Sequence, residues 1–188
     1  MATTVSDRCH ADVEPRSTLY QEDIVRSGIL RRILAAGRII IGFTFLWAFI
    51  DKVFGLGYAT PAERAWIDGG APAQGFMQSL EGPTAGFFQS ISGPWADWLF
   101  MAGLLGIGVA MIAGAGLKIA AWSGTLLLAF MYIAQFPIGQ ANMGFTNPLT
   151  DSHWIEAIVL LVAAYGLAGD TWGLGRWWGR IVGDSWLR

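Results

Sequence analysis

The chain has 188 residues, a formal net charge of −2, 54% hydrophobic residues and 14% charged residues. Soluble domains carry about 25% charged residues, so this composition, with ten tryptophans, indicates a membrane protein. The slightly acidic balance is unlike that of nucleic-acid-binding proteins, and we predict no nucleic-acid partner. Cys9 is the only cysteine, which excludes an intrachain disulfide, a CxxC redox pair and a thiolate metal site.

The first 28 residues are mostly polar and mixed in charge. We predict that residues 1–28 form a flexible cytoplasmic tail. A cleaved signal peptide would instead begin near residue 1 with a short apolar core.

Four apolar segments follow, and a bilayer core needs roughly 20 helical residues. They lie at about 30–54, 98–117, 119–136 and 153–169. The middle two carry no charged residue, and the fourth contains Glu156. These segments predict an all-α membrane protein with a four-transmembrane-helix bundle over residues 29–170.

The cations predict how the bundle is oriented, because cytoplasmic loops are enriched in Lys and Arg. Two cations, Lys52 and Arg64, lie on one side of the predicted bundle. The other side holds most of the rest: Arg26, Arg31, Arg32, Arg38, Lys118, Arg176, Arg180 and Arg188. The pattern predicts both termini inside, with loops 55–97 and 137–152 outside.

The long outer loop is predicted to contain short interfacial helices. Thr60-Pro61-Ala62-Glu63 matches a capping box, which predicts a helix to about Ile67. Two more short helices are predicted around residues 76–80 and 85–91. A loop this apolar is expected to lie on the membrane surface or to cover the bundle as a lid. In the shorter outer loop, Asp151 or Ser152 is the expected N-cap of the fourth span.

Residues 171–188 combine tryptophans with arginines and predict an interfacial C-terminal helix. Within the bundle, small residues repeat every fourth position on the middle spans. They predict the contact between these two helices: Ala102, Gly106, Ala110 and Gly114 on one, and Ala121, Thr125 and Ala129 on the other.

Charged residues on the outer two spans share a spacing of fourteen, which returns a helix to nearly the same face. Arg38 and Lys52 lie on the first span, and Glu156 and Asp170 on the fourth. Because buried charges in membranes are usually paired, we predict two ion pairs, Lys52–Glu156 and Arg38–Asp170. Asp51 faces elsewhere and is expected to meet outer-loop amides, Arg64 or solvent.

These charges place a candidate site at the outer end of the bundle, under the aromatic loop. The candidate catalytic residues are Lys52, Glu156, Asp51 and His153, in a cluster that also holds Asp97 and Asp151. Helix capping with one ion pair is the alternative interpretation. A quinone would suit the site, with its ring among Phe45, Trp47, Phe49 and Trp98. Lys52 or His153 would donate to its carbonyl, and Glu156 or Asp51 would relay protons.

Other cofactors fit the sequence poorly. No histidine lies inside a span, so we predict no haem, and no strand precedes a glycine-rich nucleotide loop. His153 and Glu156, three apart, with Asp151 form a weak metal motif, and we predict no metal. Any electron carrier is therefore expected to be a quinone or a partner protein.

Three stretches resemble the DoxX/DoxD-like family of small bacterial integral membrane proteins: GFTFLWAFIDKVFGLG, GLLGIGVAMIAGAGLKIAA and NPLTDSHWIEAIVLL. The resemblance covers roughly residues 31–180. It implies a four-helix protein of the bacterial plasma membrane linked to respiration and, in the DoxD branch, a subunit of thiosulfate:quinone oxidoreductase. The family has no agreed catalytic motif, and Asp51 stands where many members have glycine.

Three functions stay open at this point. The first is a membrane subunit of a respiratory, quinone-linked oxidoreductase, with a quinone or small-molecule pocket at the outer face. The second is a non-catalytic accessory subunit that docks on other subunits of a larger respiratory complex. The third is a transporter of a small molecule or lipid, against which the uncharged middle spans argue.

Overall fold

The computed structural model describes residues 18–136 and 149–188, and within these ranges all regular secondary structure is helical. Its α-helices are α1 Gln21–Ile24, α2 Gly28–Phe54, α3 Pro72–Ser79, α4 Ala85–Ile91, α5 Pro94–Ala113, α6 Leu117–Ala134, α7 Ser152–Tyr165 and α8 Gly175–Val182. Short 3₁₀ turns lie at Ala62–Arg64, Trp66–Asp68 and Ala168–Asp170.

Three helices, α2, α5 and α6, are long and apolar enough to cross a membrane. They indicate a membrane protein that contacts lipid. The fourth predicted span corresponds to α7, an apolar helix of 14 residues. It ends at Tyr165, earlier than the predicted position 169, because a 3₁₀ turn replaces its last part.

The helix ends follow from local side-chain chemistry. The Ser27 hydroxyl accepts a hydrogen bond from the Leu30 amide at the start of α2. The Asp151 carboxylate accepts from the His153 amide at 3.0 Å, which confirms the predicted N-cap of α7. The predicted capping box at residues 60–63 is wrong, because Pro61 precedes the turn without a side-chain cap. The Thr60 carbonyl instead accepts from the Gly57 amide, which closes a tight turn after α2.

Glycines set the closest helix contacts. A Cβ at Gly42 of α2 would lie 2.8 Å from Met111 of α5, and one at Gly124 of α6 would lie 2.6 Å from Leu160 of α7. Thus α2 packs mainly on α5, and α6 mainly on α7. The predicted small-residue contact is wrong at Ala102 and Gly106, which are exposed. The helices approach each other closely at other glycines, and these two residues face away from the bundle.

The C-terminal segment closes one end of the bundle, the amino end of α2. The side-chain amide of Gln21 donates to the Gly166 carbonyl at 2.9 Å. The backbone amide of Gln21 donates to the Asp170 carboxylate at 2.9 Å. The Leu19 amide donates to Asp184 at 3.1 Å. The described part of the predicted tail is therefore folded against the segment that carries α8. Residues 1–17 and 137–148 lie outside the described residues, as does most of the predicted loop 137–152.

Arg38 is fully buried and has no carboxylate partner in the described part of the chain. Its guanidinium donates to the carbonyls of Met111, of Ile112 at 2.8 Å and of Trp172 at 2.9 Å. The predicted Arg38–Asp170 ion pair is wrong. The free carbonyls at the end of α5 are the nearer acceptors, and a helix C-terminus favours a cation. Asp170 instead pairs with Arg188 at 3.0 Å.

Helix α7 runs antiparallel to α2 along the length of the bundle. At the amino end of α2, a Cβ on Gly166 would lie 3.4 Å from Leu34. At the opposite end, His153 and Glu156 share a cavity wall with Lys52. The two ends of α7 therefore reach the two ends of the bundle.

Candidate functional site

Two adjoining cavities lie at the carboxyl end of α2. The first, the loop cavity, has a volume of about 260 Å³ and lies under α3 and α4. The second, the bundle cavity, has a volume of about 210 Å³ and lies among α2, α5, α6 and α7. Both are somewhat smaller than the roughly 300–1,000 Å³ typical of small-molecule sites, so each suits one ring or one short chain.

Four side chains line both cavities: Lys52, Phe100, Leu127 and Met131. The Lys52 ammonium lies 6.0 Å from the centre of the Phe100 ring, at the outer limit of a cation–π contact. The two cavities are therefore best treated as one site. Its single ammonium lies at the junction between an apolar part and a more polar part.

The loop cavity is almost wholly apolar, and Lys52 is the one charged residue among its described lining. Its roof is formed by buried residues of two short helices, Ala73 of α3 and Phe88 of α4. The Asp97 carboxylate accepts from the amides of Ala73 at 2.7 Å and Gln74 at 3.0 Å. Asp97 of α5 thus fixes the start of α3 and positions the roof.

The bundle cavity carries the polar groups of the site. His153 and Glu156 of α7 line it together with Lys52 and Thr44 of α2. The His153 Nδ1 lies 2.6 Å from the Asp151 carboxylate, which orients the imidazole ring. The His153 imidazole is hydrogen-bonded to Asp151 and lines the same cavity as the Lys52 ammonium. Side chains of these types can transfer protons to or from a molecule in the cavity.

The predicted Lys52–Glu156 ion pair is wrong, because these two side chains form no salt bridge among the described residues. They line the same cavity. The predicted juxtaposition of the two residues is present, but as two parts of a cavity wall. Both side chains can therefore contact an occupant of this cavity.

Asp51 serves the loop that follows α2. The carboxylate is 1% exposed and accepts from the amides of Tyr58 at 3.3 Å and Ala59 at 3.1 Å. Of the three partners that the sequence left open for Asp51, loop amides are the ones that the structure shows. Asp51 lines neither cavity in the described structure, because it lies about 100° around the helix from Lys52.

The aromatic residues predicted to hold a ring divide into two groups. Phe45 lines the bundle cavity, and Phe49 packs against the buried core nearby. Trp47 and Trp98 line neither cavity: Trp47 packs on Tyr58 at 5.3 Å, and Trp98 packs on Trp66 at 4.8 Å. Trp98 is also 68% exposed.

Sequence reasoning missed the residues of the middle helices that complete the site. Phe100 on α5 and Met131 on α6 form the shared wall with Lys52. Both are large side chains, Phe100 near the amino end of α5 and Met131 near the carboxyl end of α6, and that position was the available signal. Among the described residues, no group of three His, Cys, Asp or Glu side chains is placed to hold a metal ion.

Comparisons with protein-family models, curated proteins and solved structures found no match for this chain. The resemblance to the DoxX/DoxD-like family therefore stays a prediction. The assignment of function rests on the geometry of the site.

Proposed function

We propose that this chain is an integral membrane subunit of a respiratory, quinone-linked oxidoreductase, and that it binds a quinone in the two cavities. The observation that carries the proposal is the position of Lys52, an ammonium at the junction of an apolar cavity and a polar one. A quinone has a flat apolar ring and carbonyl oxygens that accept hydrogen bonds. It matches such a site in both respects.

In this proposal the quinone carbonyl accepts a hydrogen bond from Lys52 in the bundle cavity. His153 and Glu156 line the same cavity, so they supply or accept the protons that accompany quinone reduction. Asp151 keeps the imidazole in one orientation. In this proposal the electrons come from a partner subunit. The resemblance to the DoxD branch implies that thiosulfate oxidation supplies them.

For the membrane arrangement, we propose that α7 is the fourth span, with both termini on the cytoplasmic side. Its 14 residues reach about 21 Å, less than the roughly 30 Å of a bilayer core. The contacts of α7 with both ends of α2 support this assignment. The Ala168–Asp170 turn adds length at the cytoplasmic end, and the bacterial plasma membrane is the proposed location.

The test is quinone binding by the purified chain in lipid nanodiscs. The chain has two lysines, Lys52 and Lys118, at opposite ends of the bundle, and they provide a matched pair of variants. We expect Lys52→Met to lose roughly ten- to a hundredfold in quinone affinity, because a charge-assisted hydrogen bond disappears. Lys118→Met should bind as the unchanged protein does. Equal binding by both variants, or no quinone binding at all, would remove the proposal.

A second candidate is a non-catalytic accessory subunit, and one observation favours it. Ala102 and Gly106 are exposed on α5, and in the described structure a Cβ at Gly106 would meet no atom within 4 Å outside the adjacent backbone of its own helix. A flat surface of this kind lets another membrane helix approach closely. Gly106→Leu should then release a stoichiometric partner from the complex extracted in mild detergent. Gly103, whose Cβ would meet Leu127, is the comparison position.

A further inference from the structure

The loop cavity reaches the side of the bundle between α5 and α6. Trp95 and Leu99 of α5 and Phe130 of α6 line the cavity, yet each is also exposed. Leu99, for example, is 65% exposed. By contrast, Ala73 of α3 and Phe88 of α4 are buried where they line the roof. In the described part of the chain, the cavity is therefore covered at its loop end and opens sideways.

The surroundings of this side opening follow from the two helices that frame it. Both α5 and α6 are long and apolar enough to cross a membrane, so their outer faces meet lipid chains. The described residues at the opening carry no charge, and Lys52 lies deeper, at the junction with the bundle cavity. An occupant that enters the loop cavity directly, and not through the bundle cavity, would have to pass through this apolar side or through the covered loop end.

We propose that the occupant is a membrane-dissolved molecule with a long apolar tail, which enters between α5 and α6 and leaves its tail in the side opening. This inference rests on the proposed quinone site and specifies its ligand as a tailed quinone. The head reaches Lys52, the ring lies against Phe100, and the tail passes Leu99 and Phe130 into the bilayer. The portal selects for tail-bearing quinones because only the tail contacts its walls.

The experiment compares two probes, decyl-benzoquinone and the corresponding benzoquinone without a tail, at fixed mole fraction in nanodiscs. Leu99→Trp adds bulk to the wall of the opening. We expect it to weaken binding of the tailed quinone about tenfold and to leave the tail-less head nearly unchanged. Val109→Trp is the control, since Val109 is exposed on the same helix but lines neither cavity.

The outcomes separate the portal from the proposed function. If Leu99→Trp binds the tailed quinone as tightly as the unchanged protein, while Lys52→Met still loses binding, the portal is overturned and the quinone site stands. If the unchanged protein binds neither quinone, the proposed function fails and the portal falls with it. Phe130→Trp, on the opposite wall, repeats the test if Leu99→Trp does not fold.

Discussion

Gly108 of α5 lies directly against the backbone of Leu46 on α2, where an added Cβ would be 2.8 Å from the Leu46 amide nitrogen. Real Cβ atoms do not approach backbone that closely, so the two helices must separate to admit one. We expect Gly108→Ala to lower the free energy of unfolding by about 1–3 kcal/mol. The measurement is the thermal midpoint of the purified protein in detergent.

Gly106, two residues earlier on the same helix, is the control for this prediction. A Cβ there meets no atom of another helix within 4 Å in the described structure, so Gly106→Ala should be neutral or should stabilise by up to about 1 kcal/mol. If Gly106→Ala destabilised the protein as much as Gly108→Ala, the close contact would lie where the small-residue repeat predicts it.

Arg38 ties the end of α5 to the C-terminal segment, and its loss should be costly. Arg38→Met removes the donor for the Ile112 and Trp172 carbonyls, and these part-buried groups then lack it. We expect a loss of about 2–5 kcal/mol in the free energy of unfolding, with a smaller loss for Arg38→Lys, which keeps one cation. Thermal unfolding in detergent measures both.

Arg32 is exposed on a different face of α2 from Arg38, and it is the matched control for this prediction. Arg32→Met should change the thermal midpoint by no more than about 1 °C, since surface substitutions are usually near neutral. A similar loss for Arg32→Met and Arg38→Met would mean that the carbonyl contacts contribute little. The general positive charge of the amino end of α2 would then explain both results.

Much of the architecture follows from patterns that the sequence displays directly. The spans that became α2, α5 and α6 were predictable because their apolar runs are long and nearly free of charge. The helix at residues 85–91 and the Asp151 cap were predictable because their signals are local. Asp51 was correctly expected at loop amides, since it is on a different face of α2 from Lys52.

The errors share a physical cause, which is that spacing on one helix does not reveal the acceptor on another. Arg38 was predicted to meet a carboxylate, but it donates instead to carbonyls at the end of α5. Asp170 was then free to bind Arg188 and the Gln21 amide. The shared cavity wall at Phe100 depends on how α2, α5 and α6 pack together, which no single-helix pattern encodes.

Asp51 offers a test that separates a positioning role from a proton-transfer role. Its carboxylate receives the Tyr58 and Ala59 amides, so Asp51→Ala should cost about 2–4 kcal/mol of unfolding free energy and Asp51→Asn less. Because Asp51 lines neither cavity, we expect Asp51→Asn to keep quinone affinity within about threefold of the unchanged protein.

Asp68, an exposed residue in the segment between α2 and α3, is the comparison for this prediction. Asp68→Asn should leave both the thermal midpoint and quinone binding unchanged. If Asp51→Asn kept its stability but lost quinone-linked activity in the assembled complex, this prediction would be wrong. Asp51 would then belong to the reaction site.

Glu22 of α1 connects the N-terminal segment to α8, and this contact should depend on pH. A backbone hydrogen bond and the Arg176 guanidinium, 2.6 Å away, lower the pKa of Glu22 despite partial burial. A lowered pKa means that the contact is complete above the ordinary Glu pKa of about 4.3 and is lost as pH falls through the lower, folded value. The side chain is 38% exposed, so its contribution should stay below about 1 kcal/mol.

Hydrogen exchange of the peptide covering residues 18–27 measures this effect, with Glu22→Gln compared with the unchanged protein at each pH. At pH 6 the unchanged protein should exchange more slowly, by up to about fivefold, which corresponds to 1 kcal/mol. Once the pH is below the lowered, folded pKa of Glu22, the two proteins should exchange alike, because both side chains are then neutral. Asp170 and Asp184 bind the same segment and are present in both proteins, so the difference isolates Glu22. A difference that does not shrink as the pH is lowered would assign the effect to side-chain shape and not to charge.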